Sequence, residues 1–170
     1  MTEKENKNPF PFRKILLYGY GNPGRQDDGL GNAFIEELQK WVSQKNLSGI
    51  ELESDYQLNI EDALTIADKD LVIFIDASME EDIQDFKLSR VDPSNATIEF
   101  TMHAVSASFI LDLCRKLYHH EPVTCMLHIR GYEWDFQEGI TAKAEDNLKK
   151  ALTFMRDHIE NPQIFNNLMG

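Results

Sequence analysis

The sequence has little positive charge, few cysteines and no long apolar run. Its 170 residues include 17 Lys and Arg against 29 Asp and Glu, which gives a formal net charge of −12. A hold on nucleic acid or on an anionic membrane needs a basic surface, and no basic cluster stands out, so we expect neither partner. No segment approaches the roughly 18 apolar residues of a membrane span. The amino-terminal segment has no apolar signal-peptide core, so we expect a cytoplasmic protein.

The two cysteines are too few for a disulfide framework and have the wrong spacing for a zinc knuckle. Cys114 falls in a helical pattern and Cys125 in a strand pattern. We therefore predict that both are buried, reduced thiols.

Strand and helix patterns alternate along the chain. We predict strands at 14–18, 50–54, 71–75, 86–91 and 123–129, and helices that begin near Leu30, Asn59, Ser106 and Thr141. The run "LVIFI" at 71–75 is apolar on both faces, which is typical of a central parallel strand, and we expect it to stop at Asp76.

The alternation predicts an α/β fold: a three-layer α/β/α sandwich with a mostly parallel twisted sheet, of the phosphorylase/hydrolase-like kind. The length suits a single domain over residues 1–170. We expect its core at about 14–159 and flexible tails at 1–12 and 160–170.

Polar residues follow the predicted strands at one edge of the sheet. Asp27 and Asp28 come after the first strand, Asp76 ends the central strand, and His103 precedes the third helix. Two carboxylates and an imidazole suit a divalent transition metal such as nickel, zinc or manganese, with positions left open for a substrate. Structural roles remain as alternatives: a helix cap for Asp27 or Asp28, a loop hydrogen bond for Asp76 and a solvent-facing His103.

A nucleotide site is a further alternative, because Gly19, Gly21 and Gly24 fit the Gly-x-Gly-x-x-Gly spacing. However, Asp27 and Asp28 would then lie beside the phosphates, and no Walker lysine follows. The stretch "GYGNPG" also resembles the opening of peptidyl-tRNA hydrolases, but the rest of that family's pattern is absent.

Four motifs in order resemble the [NiFe]-hydrogenase maturation protease family over about residues 14–155. Its first motif reads Gly-x-Gly-Asn, a few variable residues, Asp-Asp and Gly-x-Gly, and it is filled by Gly19, Gly21, Asn22, Asp27, Asp28, Gly29 and Gly31. The others are "FIDAS" with Asp76, "TMHAVS" with His103, and the closing stretch 131–152. Two departures are the missing Pro-Gly pair after Asp76 and "DYQLNIEDA" in place of a glycine-rich stretch.

The resemblance implies that Asp28, Asp76 and His103 are both the catalytic and the metal-contacting residues, while Asp27 orients the loop. It implies an aspartic-type endopeptidase that removes the C-terminal extension of a hydrogenase large-subunit precursor after nickel insertion. The nickel is expected to arrive with this precursor, and no organic cofactor is expected. We expect a monomer, and we expect residues 133–135 to shape the peptide cleft. The alternatives are another metal-dependent hydrolase on the same scaffold and a non-enzymatic nickel-binding or chaperone module.

Overall fold

The computed structural model describes residues 12–93, 105–161 and 167. Over these residues the strands are β1 (Ile15–Tyr20), β2 (Ile50–Asp55), β3 (Leu71–Ser78), β4 (Phe86–Arg90) and β5 (Val123–Arg130). The α-helices are α1 (Leu30–Lys45), α2 (Asp62–Thr65), α3 (Ala107–Tyr118) and α4 (Ala142–Glu160), and a 3₁₀ turn over Gln26–Gly29 precedes α1.

The strands form one sheet in the order β2-β1-β3-β5-β4, in which only β4 runs antiparallel to its neighbour. Helices α1 and α4 pack on one face of the sheet, and α2 and α3 pack on the other. The predicted α/β sandwich with a mostly parallel sheet is therefore confirmed. The carboxyl ends of β1, β2, β3 and β5 meet at one edge, called the carboxyl edge below, where ligand sites of such folds lie.

The core has two layers because successive residues of a strand point to opposite faces. In β3 the side chains of Ile73 and Ile75 enter the α1–α4 layer, while Phe74 enters the α2–α3 layer. Both faces of this strand are covered, which explains its continuous apolar run.

The structure moves several predicted strand boundaries by one to three residues, and the end of β3 moves furthest. Strand β3 does not stop at Asp76 but continues to Ser78, because its pairing with β5 extends through Asp76↔His128, Ala77↔Ile129 and Ser78↔Arg130. Asp76 is therefore held inside a strand, where the pleat fixes the direction of its side chain.

The ends of the described chain also differ from the expectation of flexible tails. Phe12 is buried in the α1–α4 layer, and α4 continues to Glu160. The remaining tail positions lie outside the described residues, apart from 161 and 167. Both cysteines are buried and free, as predicted. None of the helices in the described ranges is long and apolar enough to cross a membrane.

Candidate active site

The connection from β1 to α1 is tight because three glycines, at the end of β1, in the loop and at the start of α1, have no room for a side chain. Gly21 has a φ of 148°, and a Cβ there would lie 2.0 Å from the carbonyl oxygen of Asp28. A Cβ on Gly19 would lie 2.1 Å from the carbonyl oxygen of Gly31, and one on Gly31 would lie 2.5 Å from that of Ile75. The glycines thus allow the start of α1 to lie directly against the ends of β1 and β3.

Asp28 is fixed within this loop by main-chain contacts. Its Oδ2 accepts a hydrogen bond of 3.0 Å from the Asn22 amide, and its own amide donates to the carbonyl oxygen of Arg25 at 3.1 Å. The side chain is half-buried, so part of the carboxylate faces the carboxyl edge. The loop therefore presents an oriented carboxylate and needs no phosphate to complete it.

Asp76 projects from the face of β3 that α2 and α3 cover. It follows Phe74 by two residues on that face, and its neighbours there are Tyr20 at the end of β1 and His128, its register partner in β5. The Tyr20 hydroxyl donates to Met126 Sδ at 4.0 Å, and the Tyr20 phenol and the Ala77 amide both lie near the Asp76 carboxyl group and lower its pKa.

Burial and like charge together favour the protonated form of Asp76. Burial is the larger cause and the nearby charge of Asp28 is the second, and together they raise the pKa of Asp76 from 3.8 to about 7, while the Ala77 amide and the Tyr20 phenol lower it. Burial, and after it the charge of Asp76, also raises the pKa of Tyr20 well above its ordinary value. The structure thus brings Asp28 and Asp76 into electrostatic contact at the carboxyl edge and gives one of them a pKa near neutrality, which is typical of functional sites.

Asp27 has a different role from its neighbour in sequence. Its side chain is completely buried, and its two oxygens accept four hydrogen bonds from the segment after β5. The donors are the amides of Tyr132 (2.7 Å), Glu133 (3.0 Å) and Thr141 (2.8 Å) and the Thr141 hydroxyl (2.9 Å). Because it is completely buried and accepts four internal hydrogen bonds, this carboxylate anchors the loop and is unavailable to a metal or substrate.

The loop after β1 and the segment after β5 are tied together at further points. The main-chain amide of Gln26 donates to the Gln137 carbonyl at 2.9 Å, and the side-chain oxygen of Gln26 accepts from the Asp135 amide at 3.1 Å. The Arg25 guanidinium donates to the Trp134 carbonyl at 3.3 Å and lies over the Phe136 ring at 4.6 Å. Residues 133–135 therefore support the loop that carries Asp28. Their expected contact with a peptide stays a prediction.

The third residue of the predicted site, His103, lies outside the described residues. Within the described ranges, no three Asp, Glu, His or Cys side chains converge as a metal-binding group. Asp28 and Asp76 supply carboxylate oxygens, so a metal ion bound there needs its remaining ligands from elsewhere. The predicted metal set stays a prediction.

His128 is a site neighbour that the sequence did not single out. It pairs in register with Asp76 on the adjacent strand and is half-buried, and burial lowers its pKa. The pattern of β5 identified a strand, but no local signal indicates which residue of β3 lies opposite His128. Only the pairing of two segments about 50 residues apart places the imidazole beside the carboxyl group.

No protein-family model matches the chain, and no curated protein matches it in sequence. Solved structures do match it. The maturation protease HycI from Thermococcus kodakarensis is 17% identical, with a TM-score of 0.70 over 88% of this chain and 94% of the other. The endopeptidase HybD from E. coli is 18% identical, with a TM-score of 0.72 over 88% and 93%. HybD from T. kodakarensis is 16% identical, with a TM-score of 0.59 over 85% and 97%.

All three of these proteins are named for hydrogenase maturation. Most of each chain is covered in every case. At this level of identity the likeness concerns the arrangement of the backbone. The chain has the fold of the [NiFe]-hydrogenase maturation proteases.

Proposed function

We propose that the protein is an endopeptidase that removes the C-terminal extension of a [NiFe]-hydrogenase large-subunit precursor after nickel insertion. The observation that carries the proposal is the pair Asp28 and Asp76, whose mutual repulsion contributes to an Asp76 pKa of about 7 at the carboxyl edge. The fold shared with maturation proteases and the order of the sequence motifs support it.

The nickel belongs to the substrate in this mechanism. Asp28 and Asp76, with His103 as the third ligand, complete the coordination of nickel already held by the precursor and so hold the scissile peptide at the carboxyl edge. A cation beside Asp76 favours its ionised form, because it offsets the repulsion from Asp28. Recognition then depends on the metal, and a precursor without nickel is left uncut.

The hydrolytic step needs a group that accepts a proton near neutral pH. The Asp76 carboxylate, ionised beside the nickel, can take a proton from the attacking water as the new C–O bond forms. It can then return that proton to the leaving amine as the C–N bond breaks. We propose Asp76 for this transfer, with Asp28 orienting the reacting groups.

Intact-mass analysis of the precursor tests the reaction directly. The purified protein is incubated with the large-subunit precursor of its own genome, prepared with and without inserted nickel. We expect loss of a C-terminal peptide from the nickel-loaded precursor alone. Equal cutting of both forms would contradict the dependence on nickel. Hydrolysis of a substrate unrelated to hydrogenase would favour the alternative of another metal-dependent hydrolase.

Isosteric variants test the residues. Asp28→Asn and Asp76→Asn keep the size of each side chain but not its charge, so processing should fall at least a hundredfold while the fold is retained. Asp146→Asn, on an exposed turn of α4, is the matched control and should process normally. Full activity in both site variants contradicts the assignment.

Binding without turnover distinguishes the chaperone alternative. A protease converts a molar excess of precursor, whereas a nickel-binding module changes at most one precursor per protein. We further propose that the protein acts as a cytoplasmic monomer. Light scattering of the purified protein tests the oligomeric state, and a mass of twice 19.6 kDa would refute a monomer.

A further inference from the structure

Large apolar side chains are exposed around the candidate site. Within the described residues, four such side chains lie in loops that follow parallel strands: Tyr56 and Ile60 after β2, Met79 after β3 and Phe136 after β5. Their exposed fractions run from 57% for Ile60 to 84% for Phe136. Single exposed apolar residues are ordinary on a protein surface. Their placement around one acidic pair is not explained by the packing of the core.

The same edge has a strongly one-sided charge. The four loops that follow the parallel strands, at 21–29, 56–61, 79–85 and 131–141, contain ten Asp and Glu residues and one basic residue, Arg25. That arginine is already engaged by Trp134 and Phe136. Across the parts of the chain that the structure describes, no ion pair neutralises these carboxylates.

The opposite edge of the sheet provides an internal comparison. Its described segments, at 12–14, 46–49, 66–70, 91–93 and 119–122, contain four acidic and three basic residues. Lys14 and Lys69 both pair there with Asp68, at 3.4 Å and 2.6 Å. The charge of −12 is therefore not spread evenly, and the carboxyl edge carries a disproportionate share.

A groove of about 490 Å³ opens on the same edge. It lies between α1 and the end of β2, where Asp55 and Tyr56 line it, and Pro23 from the loop after β1 also forms part of its lining. Asn32 from α1 forms part of its wall and donates to the Ser54 hydroxyl and the Asp55 carbonyl, which holds the end of β2 in place. Pro23 belongs to the loop that positions Asp28, so the groove adjoins the candidate site.

We infer that the carboxyl edge is a docking surface for a folded protein whose contact face is basic around an apolar centre. The occupant is the large-subunit precursor, so the inference rests on the function proposed above. Its acidic rim attracts the basic face over a distance, and the four exposed apolar side chains make the close contact. Specificity then comes from a protein surface as well as from the peptide that is cut.

Matched substitutions at the two edges test this surface. Glu81→Lys reverses a charge on the carboxyl edge, and Glu121→Lys makes the same change on the opposite edge. Both glutamate side chains are exposed. Met79→Ser removes an exposed apolar side chain at the site, and Leu117→Ser does so at the far end of α3, with exposures of 66% and 58%. The thermal melt of each variant shows whether its fold is intact.

The rate constant kcat/KM for processing of the nickel-loaded precursor is measured for each variant from 50 to 500 mM salt. We expect Glu81→Lys to lower it about tenfold at 50 mM salt, with the deficit shrinking at 500 mM as salt screens the charges. Met79→Ser should lower it about tenfold at every salt concentration, mainly through KM. The two opposite-edge variants should remain within twofold of the wild type.

Two failures are distinguishable. If the wild-type protein processes the precursor but variants at the two edges behave alike, the docking surface is wrong and the proposed function stands. If the wild type neither processes the precursor nor binds it in calorimetry, the proposed function fails and the occupant named here fails with it. Binding of the precursor is also measured with Asp76→Asn, which does not cut it. If this binding is lost in the double variant Asp76→Asn/Glu81→Lys, the result supports the docking surface independently of turnover.

Discussion

Replacing Asp76 by Asn should stabilise the protein above neutral pH while abolishing its activity. In the folded state the pKa of Asp76 is about 7, against 3.8 for the ordinary side chain. A carboxyl group with a raised pKa contributes stability that is fully present below pH 3.8 and is lost as the pH rises through 7. Asparagine is uncharged at every pH, so it keeps the uncharged state that burial favours.

The size of the effect follows from the shift. Three pKa units correspond to about 4 kcal/mol in the free energy of unfolding, and partial exposure of the side chain reduces this to about 2 kcal/mol. The Asn variant should therefore match the wild type near pH 4 and exceed it by about 2 kcal/mol at pH 8. Most of that difference should develop between pH 4 and 7.

Urea unfolding followed by tryptophan fluorescence at several pH values between 4 and 8.5 measures this difference. Asp146→Asn is the control, because it makes the same substitution at an exposed position of α4. Asp28→Asn removes the neighbouring charge and should flatten part of the pH dependence of the wild type. A difference between Asp76→Asn and the wild type that does not change with pH would refute the reasoning.

Other substitutions test the loops and the core. Asp27→Asn turns an acceptor of four hydrogen bonds into a partial donor, so we expect a loss of about 3 kcal/mol in chemical denaturation; a loss under 1 kcal/mol would contradict its anchoring role. Gly31→Ala places a Cβ 2.5 Å from a strand carbonyl and should lower the unfolding free energy by more than 2 kcal/mol. The control Gly24→Ala meets its nearest atom at 3.1 Å and should stay within about 1 kcal/mol. Burial raises the pKa of Cys114 and raises that of Cys125 to about 11, so iodoacetamide at pH 7.5 should label neither thiol until the protein is unfolded, and rapid native labelling would contradict this.

Local patterns were sufficient to predict most of the secondary structure. The apolar run of β3 and the three- and four-residue spacing of α1 reflect contacts within one element. Ser106 and Thr141 were predicted as helix starts, and each side chain accepts a hydrogen bond from the amide three residues later, in α3 and α4. The resemblance of four ordered motifs added the arrangement of the fold, which the solved structures confirm.

Features that depend on distant pairing could not be predicted in the same way. The extension of β3 past Asp76 requires β5 beside it, and the position of His128 requires the register between the two strands. The different roles of Asp27 and Asp28 follow from their hydrogen-bond partners. These lie more than 100 residues away in sequence for Asp27 and six residues away for Asp28. Sequence spacing placed both carboxylates on one loop without distinguishing them, whereas the family resemblance implied the loop-orienting role of Asp27, with which its four internal hydrogen bonds agree.

The anchoring of Asp27 also affects when the site can exist during synthesis. The hydrogen bond from the Thr141 amide to Asp27 joins residues 114 positions apart in the chain. Translation delivers the amino-terminal segments first, and contacts this distant in sequence form late. A nascent chain that has emerged only through β3 already contains Asp28 and Asp76, but the buried charge of Asp27 still has no donors. We therefore expect the loop that carries Asp28 to become fixed only after β5 and the start of α4 have emerged.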